Sequence, residues 1–427
     1  MSGAWHIKGG RLLDPLTGRD EIGDLYVEGS RIVSSLSPLS GPVNLVDAAG
    51  MTIVPGLIDL HVHLREPGNE EAETVESGCR AAARGGFTTI VAMPNTSPPI
   101  DTPEAVAHLL DRAKAIDLCR VLVAACITRG RAGKAIADMP ALKRAGAVAV
   151  TDDGATVPDD SLMREAMLAA RRSKLLLMDH ALDPVLAVGG VMHEGARSRE
   201  LHLPGIPSEA ETMTVSRDIR LAQQTGCALH LQHLSAAGSI DLVHDARARG
   251  LGVSAETTPH HLALTDGDMD EADPDFKMSP PIRAEADREA LLTAVANGDI
   301  QALATDHAPH RAIDKARGFL AAPFGVVGLE TAVGITYAVL VEAGRMSAME
   351  WLRRWTLGPA AVLGLPAPSI QAGQPADLTV LDLRNPWTVD TTRFASKSKN
   401  SPFKGMALRA RAVLTLYDGV MTWDGRC

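Results

Sequence analysis

Five short apolar segments of the chain each end in a residue able to ligate a metal. IDLHVH ends in His61 and His63, AVAVTDD in Asp153, LLLMDH in His180, ALHLQH in His233 and ALATD in Asp306. Strands buried on both faces read as near-continuous apolar runs, and in a (β/α)8 barrel their carboxyl ends meet at one mouth. Ligating side chains at the ends of successive buried runs therefore point to a barrel with a metal site at its C-terminal mouth.

The rest of the chain fits that frame. Apolar runs at 57–63, 87–93, 121–127, 147–152, 174–180, 228–233, 251–257 and 301–306 alternate with longer helical patterns. Eight such units predict an α/β fold, a (β/α)8 TIM barrel over residues 55–364. Residues 1–54 and 365–427 read instead as short strands broken by Gly and Pro, as in WHIKGGRLLD, ADLTVLDL and ARAVLTLYDGVMTW. They predict a small, antiparallel, β-sandwich-like domain built from both ends of the chain.

Bulk composition narrows the function. The 427 residues are 45% apolar, enough for one large and one small domain. The net charge is -10 and no Lys/Arg run occurs, which argues against nucleic acid. No apolar stretch is long enough for a membrane span, and MSGAWHIKGGRLLD lacks the blocks of a signal peptide. The cysteines, Cys79, Cys119, Cys126, Cys227 and Cys427, are odd in number and form no CxxC pair. Reduced thiols and a cytoplasmic enzyme are the expectation.

His61 and His63 are two apart and would share a face of the first barrel strand. Asp153 follows the fourth run, with Asp152 expected to point the other way. His180 ends the fifth run. His230 and His233, three apart, would lie on opposite faces, leaving His233 as the ligand and His230 as a wall residue. Asp306 ends the eighth run, where a general base is needed. Four imidazoles and two carboxylates exceed the needs of one tetrahedral zinc and suit a two-metal site with a bridging carboxylate. Ligands without thiolate favour Zn, with Mn or Co as substitutes. Such a site lowers the pKa of bound water to about 7 and polarises a carbonyl, while Asp306 moves the proton to a leaving nitrogen.

Beyond the ligands, Arg65 in HVHLREPG can take a substrate carboxylate in bidentate fashion. Asn95 in VAMPNTSPP can add amide contacts, and His310 in TDHAPH lies in the loop after the last strand. His307 is expected to support Asp306, and His260 and His261 are expected to be structural.

Taken together, GLIDLHVHLREPG, FTTIVAMPNTSPP, TDDG, LHLQHLSAAGS, ETTPHHLALT, KMSPPIR, ATDHAPH, PFGVVGLET and SKSKNSPFKG resemble class I dihydroorotase of the amidohydrolase superfamily. The resemblance runs from about residue 5 to the end. It implies reversible cyclisation of N-carbamoyl-L-aspartate to L-dihydroorotate in pyrimidine synthesis. It also implies that His61, His63, His180 and His233 are ligands, that Asp153 is the bridging carboxylate, and that Asp306 is both ligand and acid/base. Arg65, Asn95 and His310 would hold the substrate. Ser279 in KMSPPIR, where many relatives carry a substrate-contacting Asn, joins them as a candidate. Many relatives bridge their metals with a carboxylated lysine, but here the matching position is Asp153, and Lys143 and Lys174 lie outside the strand end. One or two zinc ions per subunit are implied. Leu182 replaces a common acidic residue, and HRAIDKARGF keeps only part of the usual pattern.

The resemblance also allows a homodimer and association with aspartate transcarbamoylase. Two alternatives compete with a dihydroorotase. One is a hydantoinase or allantoinase, which would normally carry the lysine bridge and lack REPG. The other is an inactive scaffold of aspartate transcarbamoylase, which would have lost ligands.

Overall fold

Strands whose side chains are buried on both faces can only stack beside one another, and here they do so in chain order. The computed structural model describes residues 3–37, 41–269 and 272–426. The barrel strands are Leu57–Val62 (β1), Phe87–Ala92 (β2), Arg120–Ala125 (β3), Ala149–Val150 (β4), Leu176–Asp179 (β5), Leu229–Leu231 (β6), Val253–Thr257 (β7) and Ala302–Leu303 (β8). Every ladder between neighbours is parallel. β8 returns to β1 beyond its last strand residue. Val62 bridges His307, and the His63 N–H donates to the His307 carbonyl at 2.9 Å. Thr305 tightens the closure by donating its N–H (3.0 Å) and its hydroxyl (2.6 Å) to the Asp59 carboxylate on β1.

Helices cover the outside, and local chemistry sets their ends. Helix Val75–Gly85 starts at a Thr74–Ser77 capping box and stops at Gly86, whose φ of 91° suits a residue without Cβ. The barrel core continues into helix Ala348–Trp355. There Trp355 meets Phe87 edge-on at 5.3 Å, and the indoles of Trp351 and Trp355 both donate to Thr336 Oγ1 at 3.0 and 3.2 Å.

Both ends of the chain share a second sheet, as expected, but the sheet is mixed and not antiparallel throughout. Ala4–Asp14 runs antiparallel to Arg19–Glu28 and parallel to Val43–Asp47 and Thr52–Pro55. Thr52–Pro55 then pairs antiparallel with Leu378–Asp382, which continues through Arg411–Tyr417 to Val420–Asp424. Ile7, Leu12, Val27, Ile53, Leu378 and Leu414 form its own buried cluster. Cys79, Cys119, Cys126 and Cys227 are free and buried, and Cys427 lies outside the described residues. No described helix is long and apolar enough to cross a membrane.

Candidate active site

Every barrel strand except β7 stops short of the apolar run that predicted it, and every candidate ligand except His61 sits past a strand end, where the chain turns at the mouth. β4 ends at Val150, β6 at Leu231 and β8 at Leu303, so Asp153, His233 and Asp306 all lie past strand ends. His233 (φ 33°) and Asp306 (φ 45°) adopt the left-handed conformation. Non-glycine residues held there cost about 1–3 kcal/mol each and cluster at functional sites.

Six candidate ligands converge at this mouth. His61 Nε2 lies 3.1 Å from Asp153 Oδ1 and 3.5 Å from Asp306 Oδ1. His63 Nε2 lies 3.0 Å from Asp306 Oδ1 and 3.5 Å from Asp153 Oδ2. The two imidazoles therefore share a face. On the other side of Asp153, His233 Nε2 is 3.6 Å and His180 Nδ1 3.7 Å from Oδ1, with 2.9 Å between those two nitrogens. Donor atoms on a common tetrahedral zinc would be about 3.3 Å apart. Two groups of donors lie close enough to hold an ion, His61–Asp153–His233 and His61–His63–Asp306; they share His61, and Asp153 Oδ2 reaches His63 of the second group at 3.5 Å. Among the described residues, His61 Nε2, Asp153 Oδ1 and His233 Nδ1 are buried without a hydrogen-bond partner. A buried polar atom left so is costly, and a cation would satisfy the first two at once. Burial opposes charge on Asp153 and Asp306, but His61 and the neighbouring imidazoles hold both well below the ordinary carboxylate range. The donor set thus fits one or two divalent ions.

Supporting groups fix these rings. Glu256 Oε1 accepts from His61 Nδ1 at 2.9 Å, leaving Nε2 to face the cluster. Burial opposes its charge, but His230 and His61 hold its pKa down to about 2. Asn95 Oδ1 accepts from His63 Nδ1 at 2.7 Å, and its Nδ2 donates to Asp153 Oδ2 at 3.4 Å. Asn95, expected to contact substrate, is thus tied first to two candidate ligands. Arg131 donates to the Asp153 carbonyl at 2.7 Å. Asp152 turns away, as expected, and accepts the N–H groups of Ile127 (2.9 Å) and Thr128 (3.0 Å).

Arg65 stands at the edge of the cluster. Its Nε donates to the Pro309 carbonyl at 3.1 Å, and no carboxylate lies within ion-pair distance among the described residues. Burial lowers its pKa to about 10, so it stays charged at neutral pH. Its Nη2 is 3.4 Å from His310 Nε2. That nitrogen donates to the Phe324 carbonyl at 2.6 Å, so it carries the proton and meets Arg65 as a fellow donor. Burial and the Arg65 charge push the His310 pKa down to about 3, which keeps the ring neutral. The Arg65 loop rests on the turn after Asn95, where Ser97 N–H donates to the Pro67 carbonyl at 2.9 Å. Gly68 (φ 99°) allows this approach, because a Cβ there would fall 2.1 Å from the Ser97 carbonyl oxygen.

The remaining residues take these places. His230 is the hydrogen-bonded wall residue expected of it: on β6, its Nδ1 lies 2.8 Å from Ser254 Oγ, and its Nε2 donates to Glu256 Oε2 at 3.2 Å, the same carboxylate that holds His61. β6 ends at Leu231, so strand alternation does not itself extend to His233. Ser279 is partly exposed, and among the described residues its side chain makes no hydrogen bond with the cluster. His307 supports the site through its backbone at the β1 closure, and its ring donates to Glu73 at 3.3 Å. His261 is structural, donating to the Pro280 carbonyl at 3.0 Å. Leu182 packs with Ile206 and Ala210. Glu256 was missed, although an acid inside the otherwise uncharged run VSAET was its signal.

Comparison with known proteins agrees with this architecture. The family described as "Dihydro-orotase-like" matches residues 50–239, and the "Amidohydrolase family" matches 216–422. A dihydroorotase of Solibacter usitatus is 41% identical over 98% of this chain and 97% of its own length. One of Pelotomaculum thermopropionicum is 43% identical over 98% of each. Among solved structures, an L-hydantoinase (dihydropyrimidinase) from Arthrobacter aurescens superposes with a TM-score of 0.87 at 26% identity, covering 100% of this chain and 97% of that one. A dihydropyrimidinase from Brevibacillus agri gives 0.85 at 21% identity, covering 99% and 95%, a likeness of fold alone.

Proposed function

The chain belongs to the dihydroorotase family, and we propose that its barrel mouth interconverts L-dihydroorotate and N-carbamoyl-L-aspartate with the residues described above. The observation that carries this reading is Arg65, a charged guanidinium beside the His/Asp cluster with no carboxylate partner among the described residues. A cyclic amide bearing a carboxylate supplies what both parts lack.

Arg65 binds the substrate carboxylate through its free Nη groups and so orients the ring. Asn95, His310 and Ser279 supply the remaining substrate contacts, His310 from 3.4 Å beside Arg65. His61, His63, Asp153, His180, His233 and Asp306 would hold one or two divalent ions, zinc with Mn or Co as substitutes. Bound there, the ion supplies an activated water at neutral pH and polarises the amide carbonyl. Asp306 takes the proton of the attacking water. As the C–N bond breaks, Asp306 returns it to the ring nitrogen, which becomes the terminal NH2 of the carbamoyl group. Ring closure runs the same steps backwards. The cytoplasm is the proposed location, in keeping with four buried, unpaired cysteines.

A hydantoinase reading rests on the fold neighbours, whose identity of 21–26% is well below the 41–43% of the dihydroorotases. The test is substrate preference. Purified protein is expected to open L-dihydroorotate far faster than hydantoin or allantoin. Comparable rates on hydantoin would overturn the assignment.

A further inference from the structure

His310 is held by a short segment that is itself held from several sides. The His310 ring donates to the Phe324 carbonyl at 2.6 Å, and its N–H donates to Asn400 Oδ1 at 3.1 Å. One residue earlier, the Pro323 carbonyl accepts from the Lys315 ammonium at 3.1 Å. One residue later, the Gly325 N–H donates to the Lys277 carbonyl at 2.9 Å, and the Gly325 carbonyl accepts from Asn400 Nδ2 at 3.0 Å. Lys315 then closes the circuit, donating to the carbonyls of Pro274 at 2.8 Å and Lys277 at 3.4 Å. Lys277 lies two residues before Ser279.

Burying an ammonium is costly unless each hydrogen finds an acceptor. Lys315 is 6% exposed and has no carboxylate within ion-pair distance among the described residues. Its three acceptors are main-chain carbonyls on the two segments that flank His310 and lead to Ser279. A neutral side chain could fill the space but could not draw three carbonyls to one point. Lys315 and His310 also line the same cavity, of about 760 Å³. Burial lowers the Lys315 pKa only to about 8, so the ammonium persists at neutral pH.

We propose that Lys315 is a positioning residue for substrate binding, acting through the 323–325 segment to set the His310 ring beside Arg65. It touches no substrate. The inference rests on the reading that His310 holds the substrate.

The test is a double-mutant cycle on KM for L-dihydroorotate, with Lys315→Met, His310→Ala and the pair. Lys315→Met alone is expected to raise KM about tenfold with a smaller change in kcat, and to add little once His310 is gone. Full multiplication of the two effects, or an unchanged KM in Lys315→Met, would overturn the proposal. Lys315→Gln keeps N–H donors and is expected to fall between Met and wild type, and it serves for the cycle if Lys315→Met fails to fold. A second readout needs no turnover. In substrate-free protein, well below the variant's Tm, the His310 ring resonances, assigned from His310→Ala, should shift in the Lys315 variant while bound metal is unchanged. An unmoved His310 signal would overturn the proposal. If the wild type fails to open dihydroorotate, the assigned activity fails, and the resonances still decide the role of Lys315.

Discussion

Glu256 Oε1 accepts the Nδ1 proton of His61 at 2.9 Å, while its Oε2 accepts from His230 at 3.2 Å. One carboxylate thus fixes the tautomer of a candidate ligand and ties it to the neighbouring wall of the barrel. Loss of such a partner typically weakens metal binding by about 10–100-fold. Glu256→Gln is expected to do so in a competition titration against a chelator, with the fold retained. Unchanged affinity would remove Glu256 from this role.

Arg65 offers a second, separable test. Arg65→Met is expected to raise KM for dihydroorotate while sparing metal content. Arg65→Lys should restore little, since a point charge cannot make the bidentate contact. An unchanged KM in Arg65→Met would refute the carboxylate clamp.

Gly68 ties that clamp to local backbone geometry. Its φ of 99° and the 2.1 Å approach of any Cβ to the Ser97 oxygen mean that Gly68→Ala must push the Arg65 loop off the turn after Asn95. The expected result is a KM defect resembling that of Arg65→Met, with the barrel intact by circular dichroism. Wild-type kinetics would show that the loop yields without moving Arg65.

Stability has its own polar anchor. Glu211 and Arg283 form a buried pair at 3.2 Å, and Glu211 also accepts the N–H groups of Ser235 (3.1 Å) and Ala236 (2.9 Å), just past His233. Burial opposes the charge on Glu211, but Arg283 and these donors hold its pKa below the ordinary 4.5. Its contribution is therefore complete above about pH 4.5 and lost as pH falls through the lower folded value. Glu211→Gln should lower stability by about 3–5 kcal/mol at neutral pH, because it leaves Arg283 buried and unpaired. The Tm gap to wild type should narrow in acid. A gap that widened below pH 4.5 would contradict this account.

The candidate ligands were legible because a barrel brings all strand ends to one mouth, so residues far apart in sequence could be grouped by position alone. His61 and His63 share a face because β1 runs to Val62 and His63 follows it directly, its N–H still paired with the His307 carbonyl at 2.9 Å. His230 was legible as a hydrogen-bonded wall residue, although the spacing argument itself stops at Leu231, where β6 ends, and does not reach His233. Glu256 and Lys315 were not legible in their roles. Each acts through partners supplied by other segments, and a single sequence does not show which segments meet. Asn95 was legible as a site residue but not in its bond to His63, for the same reason. The mixed terminal sheet escaped notice because alternation and turns do not fix strand direction.

The central claim is a metal-dependent dihydroorotase, and the most direct measurement is ring opening of L-dihydroorotate by purified protein, followed by ultraviolet absorbance with metal content determined on the same sample. The account predicts turnover that is lost on chelation, restored by zinc, and absent in Asp306→Ala at wild-type fold. Turnover that survives chelation, or that persists in Asp306→Ala, would contradict it.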